Sequence, residues 1–478
     1  MNTANHRITR LMTESGKKIL SNLNKKSNDS KIIRPMIDLF AGCGGLSLGF
    51  ENAGFTPVFV NELNNDARAT YLMNRHHKLG AKKFTDLPNL ISGDIRELDK
   101  NRLQQIEQDL NDIDPSIVFG PSGTIDVLAG GPPCQGYSGI GHRRSYSVDK
   151  KELPSNQLYQ YMASFIEHVQ PKIFLFENVR GILSAKWTPE GVKGEIWEDV
   201  YERFKLLGKE CGYTVRWDLV YARDYGVPQN RPRILLVGIR NDVINLVGHL
   251  VNVKADKNSA LKCNFLPLHG IYPVPDIIDL LSDLEDDTIL DKLNNQNFPK
   301  AFETKNYPRQ AESWVQELLR GTNREFSKEV RLTEQEYSKH AGRIVAKFKS
   351  MIENNGEILE EYKTKKFAQK VLPKRWGNKG PTITATSLPD DYVHYNQPRS
   401  LTVREWARLQ TFPDWYQFSG KRTTGGLRRA GNPREGLHDR EVPKYTQIGN
   451  AVPVWLAEAV ALHFSKILAH ADDSFDGL

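Results

Sequence analysis

The sequence predicts an α/β protein built on a doubly wound, mostly parallel sheet, with a second, smaller domain set late in the chain. Three observations lead there. Short apolar runs bounded by turn formers alternate with stretches of helical spacing from about residue 35 to 240. The first run, Pro35-Met36-Ile37-Asp38-Leu39-Phe40, opens into a glycine-rich turn, Ala41-Gly42-Cys43-Gly44-Gly45, and then a helix, which is how a nucleotide-type cradle begins. The alternation fades between 241 and 375, where polar and charged residues dominate, and order returns near residue 381.

Residues 1–33 are polar and Lys/Arg-rich with little periodicity and read as a flexible basic arm. The helix after the glycine turn, Leu46–Ala53, is stopped by Gly54. The next strand, Pro57–Asn61, ends at Glu62, twenty positions after Gly42, where a carboxylate suits ribose hydroxyls. A dinucleotide, a flavin or S-adenosylmethionine fits this cradle equally. A third strand, Asn89–Ile95, carries Asp94 at its end; that side chain either accepts from an adenine amino group or caps a helix. The fourth, Ile125–Ala129, runs into Gly130-Gly131-Pro132-Pro133-Cys134-Gln135-Gly136-Tyr137-Ser138. The prolines stiffen this loop and the glycines let it turn. A thiol on such a loop, at the carboxyl end of a strand, sits where open α/β sheets bind ligands. It reads as a nucleophile, the alternative being a small buried hydrophobe.

Residues 156–169 have helical spacing, with Leu158, Tyr161, Met162, Phe165 and Ile166 as the core face. A fifth strand, Lys172–Phe176, ends in Glu177-Asn178-Val179 and brings a carboxylate to the same sheet edge as Cys134. A helix near 197–210 and a strand at Thr214–Tyr221 follow. The turn Asp224–Arg233 then carries Gln229, Arg231 and Arg233 into the strand Ile234–Ile239. Those arginines either make salt bridges in the fold or hold an oxyanion, a carbonyl or a phosphate.

Beyond 240, helical spacing reappears near 310–320 and 334–352, and 241–375 reads as the second domain. Residues 376–478 return to the first domain. Thr402 and Glu405 form a capping box at a helix start. A Gly- and Arg-rich loop spans Lys421–Arg440, suited to phosphate. Gln447–Pro453 leads into a last helix, 454–467, whose apolar face should pack on the first domain.

Composition sets outer bounds. The chain has 478 residues, 39% hydrophobic and 26% charged, with a formal net charge of +7, which fits a soluble protein with an acidic partner. Its four cysteines, Cys43, Cys134, Cys211 and Cys263, contain no CxxC pair, so neither a disulfide framework nor a zinc site is expected. No continuous apolar run approaches the ~20 residues of a membrane span, and no signal-peptide pattern opens the chain. A cytoplasmic protein is the expectation.

The ordered stretches resemble the DNA (cytosine-5)-methyltransferase family. The resemblance rests on Asp-Leu-Phe-Ala-Gly-Cys-Gly-Gly at 38–45, Gly-Pro-Pro-Cys-Gln-Gly-Tyr-Ser at 131–138 and Glu-Asn-Val at 177–179. It continues in Gln-Asn-Arg-Pro-Arg at 229–233, Arg-Glu-Trp-Ala-Arg-Leu-Gln at 404–410 and Gln-Ile-Gly-Asn-Ala-Val at 447–452. It covers Asp38 to about Arg240 and about Pro381 to Leu468. It implies a Rossmann-like, S-adenosylmethionine-dependent domain of 34–240 completed by 376–478, and a target-recognition domain at 241–375. Phe40, Gly42, Gly44, Glu62, Asp94, Ile95, Pro133 and Asn450 would bind S-adenosylmethionine.

The same resemblance makes Cys134 the nucleophile that adds to cytosine C6. Glu177 would hold the base edge at N3, Arg233 would hold O2, and Arg231 would favour the thiolate. Gln135, Ser138, Arg422, Arg428 and Arg429 would touch DNA. The implied partner is double-stranded DNA with the target base flipped out. No metal, no membrane and a monomeric state are expected, as is functional pairing with a restriction endonuclease without a stable complex. An RNA cytosine-5 methyltransferase on the same scaffold is the alternative. A nicotinamide or flavin oxidoreductase gives Cys134, Glu177 and the arginines no joint role, and an inactive DNA-binding module leaves all of them idle.

Overall fold

Seven strands form the central sheet of the computed structural model, which describes residues 34–133, 157–295, 302–321, 331–363, 369–377, 381–384, 391–424 and 441–475. The arm at 1–33, Cys134, Gln135, Ser138, Arg428 and Arg429 lie outside the described residues. The strands are β1 (Pro35–Leu39), β2 (Thr56–Asn61), β3 (Ile91–Ser92), β4 (Val127–Gly130), β5 (Ile173–Val179), β6 (Tyr213–Tyr221) and β7 (Pro232–Arg240), in the order β3-β2-β1-β4-β5-β7-β6. Pairing is parallel from β3 through β5, and β7 runs antiparallel to both β5 and β6. The order reverses between β1 and β4, which makes the crevice there the topological switch point of a doubly wound sheet.

Helices α1 (Gly45–Asn52), α2 (Asn65–Met73), α3 (Lys100–Ile113), α4 (Leu158–Val169) and α5 (Glu195–Glu210) connect the strands. Every residue of β1 and β4 is buried, so β4 reads as a continuous apolar run and β1 as one broken only by Asp38, rather than as alternation. Ile37, Val58, Val60, Leu128, Phe174, Phe176, Ile234 and Leu236 share one core with Met162, Phe165 and Ile166 of α4.

Two elements of the sheet layer, a strand and a helix face, differ from the sequence expectation. The third strand is only Ile91–Ser92, because 3-10 turns at Pro88–Leu90 and Ile95–Glu97 flank it. On α4, Tyr161 is 41% exposed while Tyr159 is buried. The buried stripe runs through Tyr159, Met162, Ala163 and Ile166, and a tyrosine beside it keeps its hydroxyl end at water.

The chain forms two compact units. One gathers the described residues of Glu14–Asp224, Pro232–Ile271 and Trp455–Leu478; the other, those of Tyr225–Arg231 and Tyr272–Val454. In the sheet unit the last helix, Val454–Phe475, outruns its expected end at 467. Phe464 meets Phe50 edge to face with centroids 6.1 Å apart, and Asn52 donates to Glu458 at 3.2 Å, so this helix does pack on α1. By length and apolarity alone the helical stretch Lys444–Ser474 could cross a membrane, but 78% of its apolar window is buried in the protein.

The second unit contains the expected capping box. Glu405 N–H donates to Thr402 Oγ1 and Thr402 N–H to Glu405 Oε2, at 3.2 and 2.8 Å. The charged residues of that helix point inward. Arg408 lies 2.6 Å from both Asp283 and Asp414, and Arg399 lies 2.6 Å from Glu405. Buried ions of this kind are tolerated because each is paired and hydrogen-bonded.

Asp38, on β1, is fully buried, and burial pushes its carboxyl up to about 7 although Ser47 and Arg75 pull it down. Between about pH 4, where an unfolded carboxyl titrates, and pH 7 the folded protein keeps a proton that the unfolded chain has released. This group therefore makes stability fall as pH rises through that window, with no further loss above it. In urea unfolding at pH 5 to 8, the stability difference between Asp38→Asn and wild type should move in favour of the variant from pH 5 to 7 and then level off.

Candidate active site

The turn after β1 alternates into the left-handed region, with φ of 56° at Phe40, 58° at Gly42 and 84° at Gly44. Glycine adopts this freely; Phe40 does so under strain, and such strain clusters at functional sites. Glu62, one residue past β2, reaches back to the turn. Its Oε2 accepts from Gly42 N–H at 2.8 Å and its Oε1 from Asn64 N–H at 2.7 Å. Burial raises the Glu62 carboxyl above its usual range, and the two backbone donors work against that rise. Asp94 follows β3 and fulfils the capping alternative, accepting from Arg96 N–H at 3.0 Å. The Arg96 guanidinium also bridges both its oxygens, which holds Asp94 below the usual carboxylate range. Ile95 beside it is buried.

Across the switch point, β4 ends at Gly130, and Gly131-Pro132-Pro133 lead toward Cys134. Glu177 on β5 sits against this loop. A Cβ on residue 131 would lie 2.7 Å from Glu177 Oε2, so any side chain there would displace that carboxylate from its present position. Asn178 donates to Pro132 O at 3.2 Å and accepts from Val179 N–H at 2.9 Å. Pro133 and Asn178 also line a small pocket with Tyr159, Phe176, Ile182 and Val200.

Arg233 comes from the antiparallel neighbour β7. Glu177 stands opposite Leu235, and Arg233 opposite Val179. The two side chains are therefore a diagonal pair on one face. Arg233 Nε lies 2.5 Å from Glu177 Oε1, with side chains 10% and 11% exposed. The Nε–H is not aligned on that oxygen, so this is a close charge contact rather than a directed hydrogen bond. The sheet unit thus brings Phe40, Gly42, Gly44, Glu62, Asp94 and Ile95 to the ends of β1 to β3. It brings Pro133, Glu177 and Arg233 to the ends of β4, β5 and the start of β7.

Arg231, Asn450 and Arg422 belong to the other unit. Arg231 is 1% exposed. It donates to Gly449 O at 2.7 Å, to Ala451 O at 2.9 Å and to Ile383 O, a clamp on distant backbone carbonyls whose positions no local pattern names. Asn450 is exposed. Arg422 pairs with Glu336 at 3.5 Å.

Two of the described cysteines, Cys43 and Cys211, are unsuited to attack. Burial pushes the Cys43 thiol up to about 12 and raises Cys211 as well, so neither is a thiolate at neutral pH. Among the described residues no group of three or more His, Cys, Asp or Glu is arranged to hold a metal ion.

Comparison with known proteins follows the same lines. A family model described as C-5 cytosine-specific DNA methylase matches residues 35–466. The type II methyltransferase M.DdeI of Desulfomicrobium norvegicum is 28% identical over 434 residues, covering 90% of this chain and 88% of its own. M.BspRI of Lysinibacillus sphaericus is 29% identical, with 91% and 82% covered. A crystal structure of a putative DNA modification methyltransferase encoded within an Escherichia coli prophage superposes with a TM-score of 0.60 at 21% identity, covering 91% of this chain and 99% of that one. With its sheet order, its Glu177–Arg233 pair and a family match across most of its length, the chain belongs to the C-5 cytosine-specific DNA methylases and is a DNA (cytosine-5) methyltransferase.

Proposed function

We propose that Cys134, Glu177 and Arg233 methylate C5 of a cytosine flipped out of a specific double-stranded DNA sequence. The observation that carries this reading is the buried Glu177–Arg233 contact, set against Gly131 at the head of the Pro-Pro-Cys loop. Cytosine C5 is a poor nucleophile. Addition of the Cys134 thiolate to C6 pushes electron density onto C5 and turns the ring into an enamine. Glu177, sharing a proton with N3, offsets the charge that develops there, and Arg233 holds O2. Loss of the C5 proton and elimination of Cys134 then return the thiolate. The thiol cannot reach a stacked base, hence the flipping.

S-adenosylmethionine supplies an electrophilic methyl group. The left-handed turn and the pinned Glu62 fit a ribose-bearing ligand, and Phe40, Gly42, Gly44, Glu62, Asp94, Ile95 and Pro133 would hold it; the resemblance adds Asn450. Glu62→Ala should weaken its binding by roughly 1.5–3 kcal/mol. Unchanged affinity in calorimetry, with a native melting curve, would count against that role.

Region 241–375 is proposed to read the target sequence, with Gln135, Ser138, Arg422, Arg428 and Arg429 as DNA contacts. The names of the curated relatives support a type II restriction-modification role; in this reading the enzyme is monomeric and cytoplasmic and protects host DNA from a nuclease it does not stably bind. Bisulfite sequencing tests this. Cells expressing the protein should show methylated cytosine in one sequence context, and cells expressing Cys134→Ser should not. Methylation confined to RNA, or none, would sink the reading.

A further inference from the structure

Beneath the cofactor turn lies a buried polar cluster to which neither the proposed chemistry nor the resemblance gives a part. Arg75, two residues past α2, is 2% exposed. Its Nη2 donates to Gly44 O at 3.1 Å and its Nη1 to Tyr71 O at 3.1 Å. Nε and Nη2 both reach Glu51 Oε1, at 2.9 and 2.7 Å, and the guanidinium stacks over the Tyr71 ring at 3.8 Å. Tyr71 OH lies 2.8 Å from Ser47 Oγ, which donates to Asp38 Oδ2 at 2.6 Å.

We infer that Arg75 is a positioning residue of the cofactor site, holding the glycine turn by its Gly44 carbonyl. The inference rests on the S-adenosylmethionine reading of that turn. Gly44 is the left-handed residue at which turn becomes helix, and its carbonyl already accepts the first helical bond from Leu48 N–H at 3.0 Å. The second acceptor site on that oxygen goes to Arg75. With both taken, the plane of the Gly44–Gly45 peptide is fixed. Glu62 holds the other end of the same stretch by Gly42 N–H. The β2–α2 unit therefore grips the turn at two points, one acceptor and one donor.

Packing alone does not explain an arginine here. Burying a guanidinium costs desolvation, and an apolar side chain of similar volume often serves stability as well or better. If Arg75 acts on the turn, its loss should separate ligand affinity from stability.

The test measures S-adenosylmethionine binding by calorimetry, and KM and kcat on duplex DNA. In Arg75→Met combined with Glu51→Gln, which removes both charges together, the dissociation constant and cofactor KM should rise at least tenfold. The melting temperature, the KM for DNA and kcat at saturation should stay close to wild type. Arg75→Lys keeps the charge but lacks the planar fork, and should restore only part of the affinity. A dissociation constant within twofold of wild type in a folded double variant would overturn the inference. Should the double variant not fold, Arg75→Lys alone decides: severalfold weaker binding with a native melt supports the inference, and unchanged binding overturns it. Wild-type protein that binds no S-adenosylmethionine would instead refute the cofactor reading on which this rests.

Discussion

Duplex DNA carrying 5-fluorocytosine at the target position is expected to remain joined to the protein through denaturing electrophoresis. Release of the enzyme requires a proton to leave C5, and fluorine offers none. After methyl transfer the Cys134 adduct cannot eliminate, so the complex should accumulate only when S-adenosylmethionine is present. Cys134→Ser should give no adduct and lower turnover by roughly 10³-fold or more, because a hydroxyl without an activating base is a far weaker nucleophile. Cys43→Ser, Cys211→Ser and Cys263→Ser should trap as wild type does; burial keeps at least Cys43 and Cys211 protonated. An active enzyme that forms no adduct, or whose adduct maps to another cysteine by peptide mass, would overturn the assignment.

The second large effect belongs to the Glu177–Arg233 contact. Glu177→Gln keeps the shape beside Gly131 but loses the proton-sharing group, and turnover should fall roughly 10²–10⁴-fold with a near-native melt. Arg233→Ala should also unsettle the fold. It leaves a mostly buried carboxylate facing no cation, at a cost of roughly 3–5 kcal/mol. The double variant Arg233→Ala, Glu177→Gln should recover most of that stability without recovering turnover. Denaturant titrations and single-turnover assays on the four proteins would separate the two roles. A double variant no more stable than Arg233→Ala would mean that the contact is not a charge pairing.

What was legible in the sequence, and what was not, follows from the range of the interactions involved. Most strands of the sheet stand out because a parallel sheet buried on both faces demands apolar runs, as in Val127–Ala129 and Ile173–Phe176. The capping box at Thr402 is a contact over three positions and reads directly from the residues. The third strand reads too long because Pro88 and Asp94 begin 3-10 turns on either side of a two-residue strand, Ile91–Ser92. Tyr161 misleads because apolar character does not say which tyrosine of an amphipathic helix keeps its hydroxyl wet. Arg75 meets Gly44 across 31 positions, and Arg231 meets Gly449 across 218. No local pattern marks either arginine as an interior donor to a backbone carbonyl.

The antiparallel insertion of β7 has a consequence for how the protein tolerates changes in length. Glu177 and Arg233 meet because two strands are held in one register, and the side-chain period of a strand is two residues. A single-residue deletion between Ile234 and Ile239 would turn Arg233 to the opposite face while leaving every nearby residue type intact. An insertion in the turn Ala222–Tyr225, between β6 and β7, leaves that register untouched. An insertion–deletion scan across 213–240, read out by methyl transfer, should therefore show a strand in which no length change survives beside a turn in which several do.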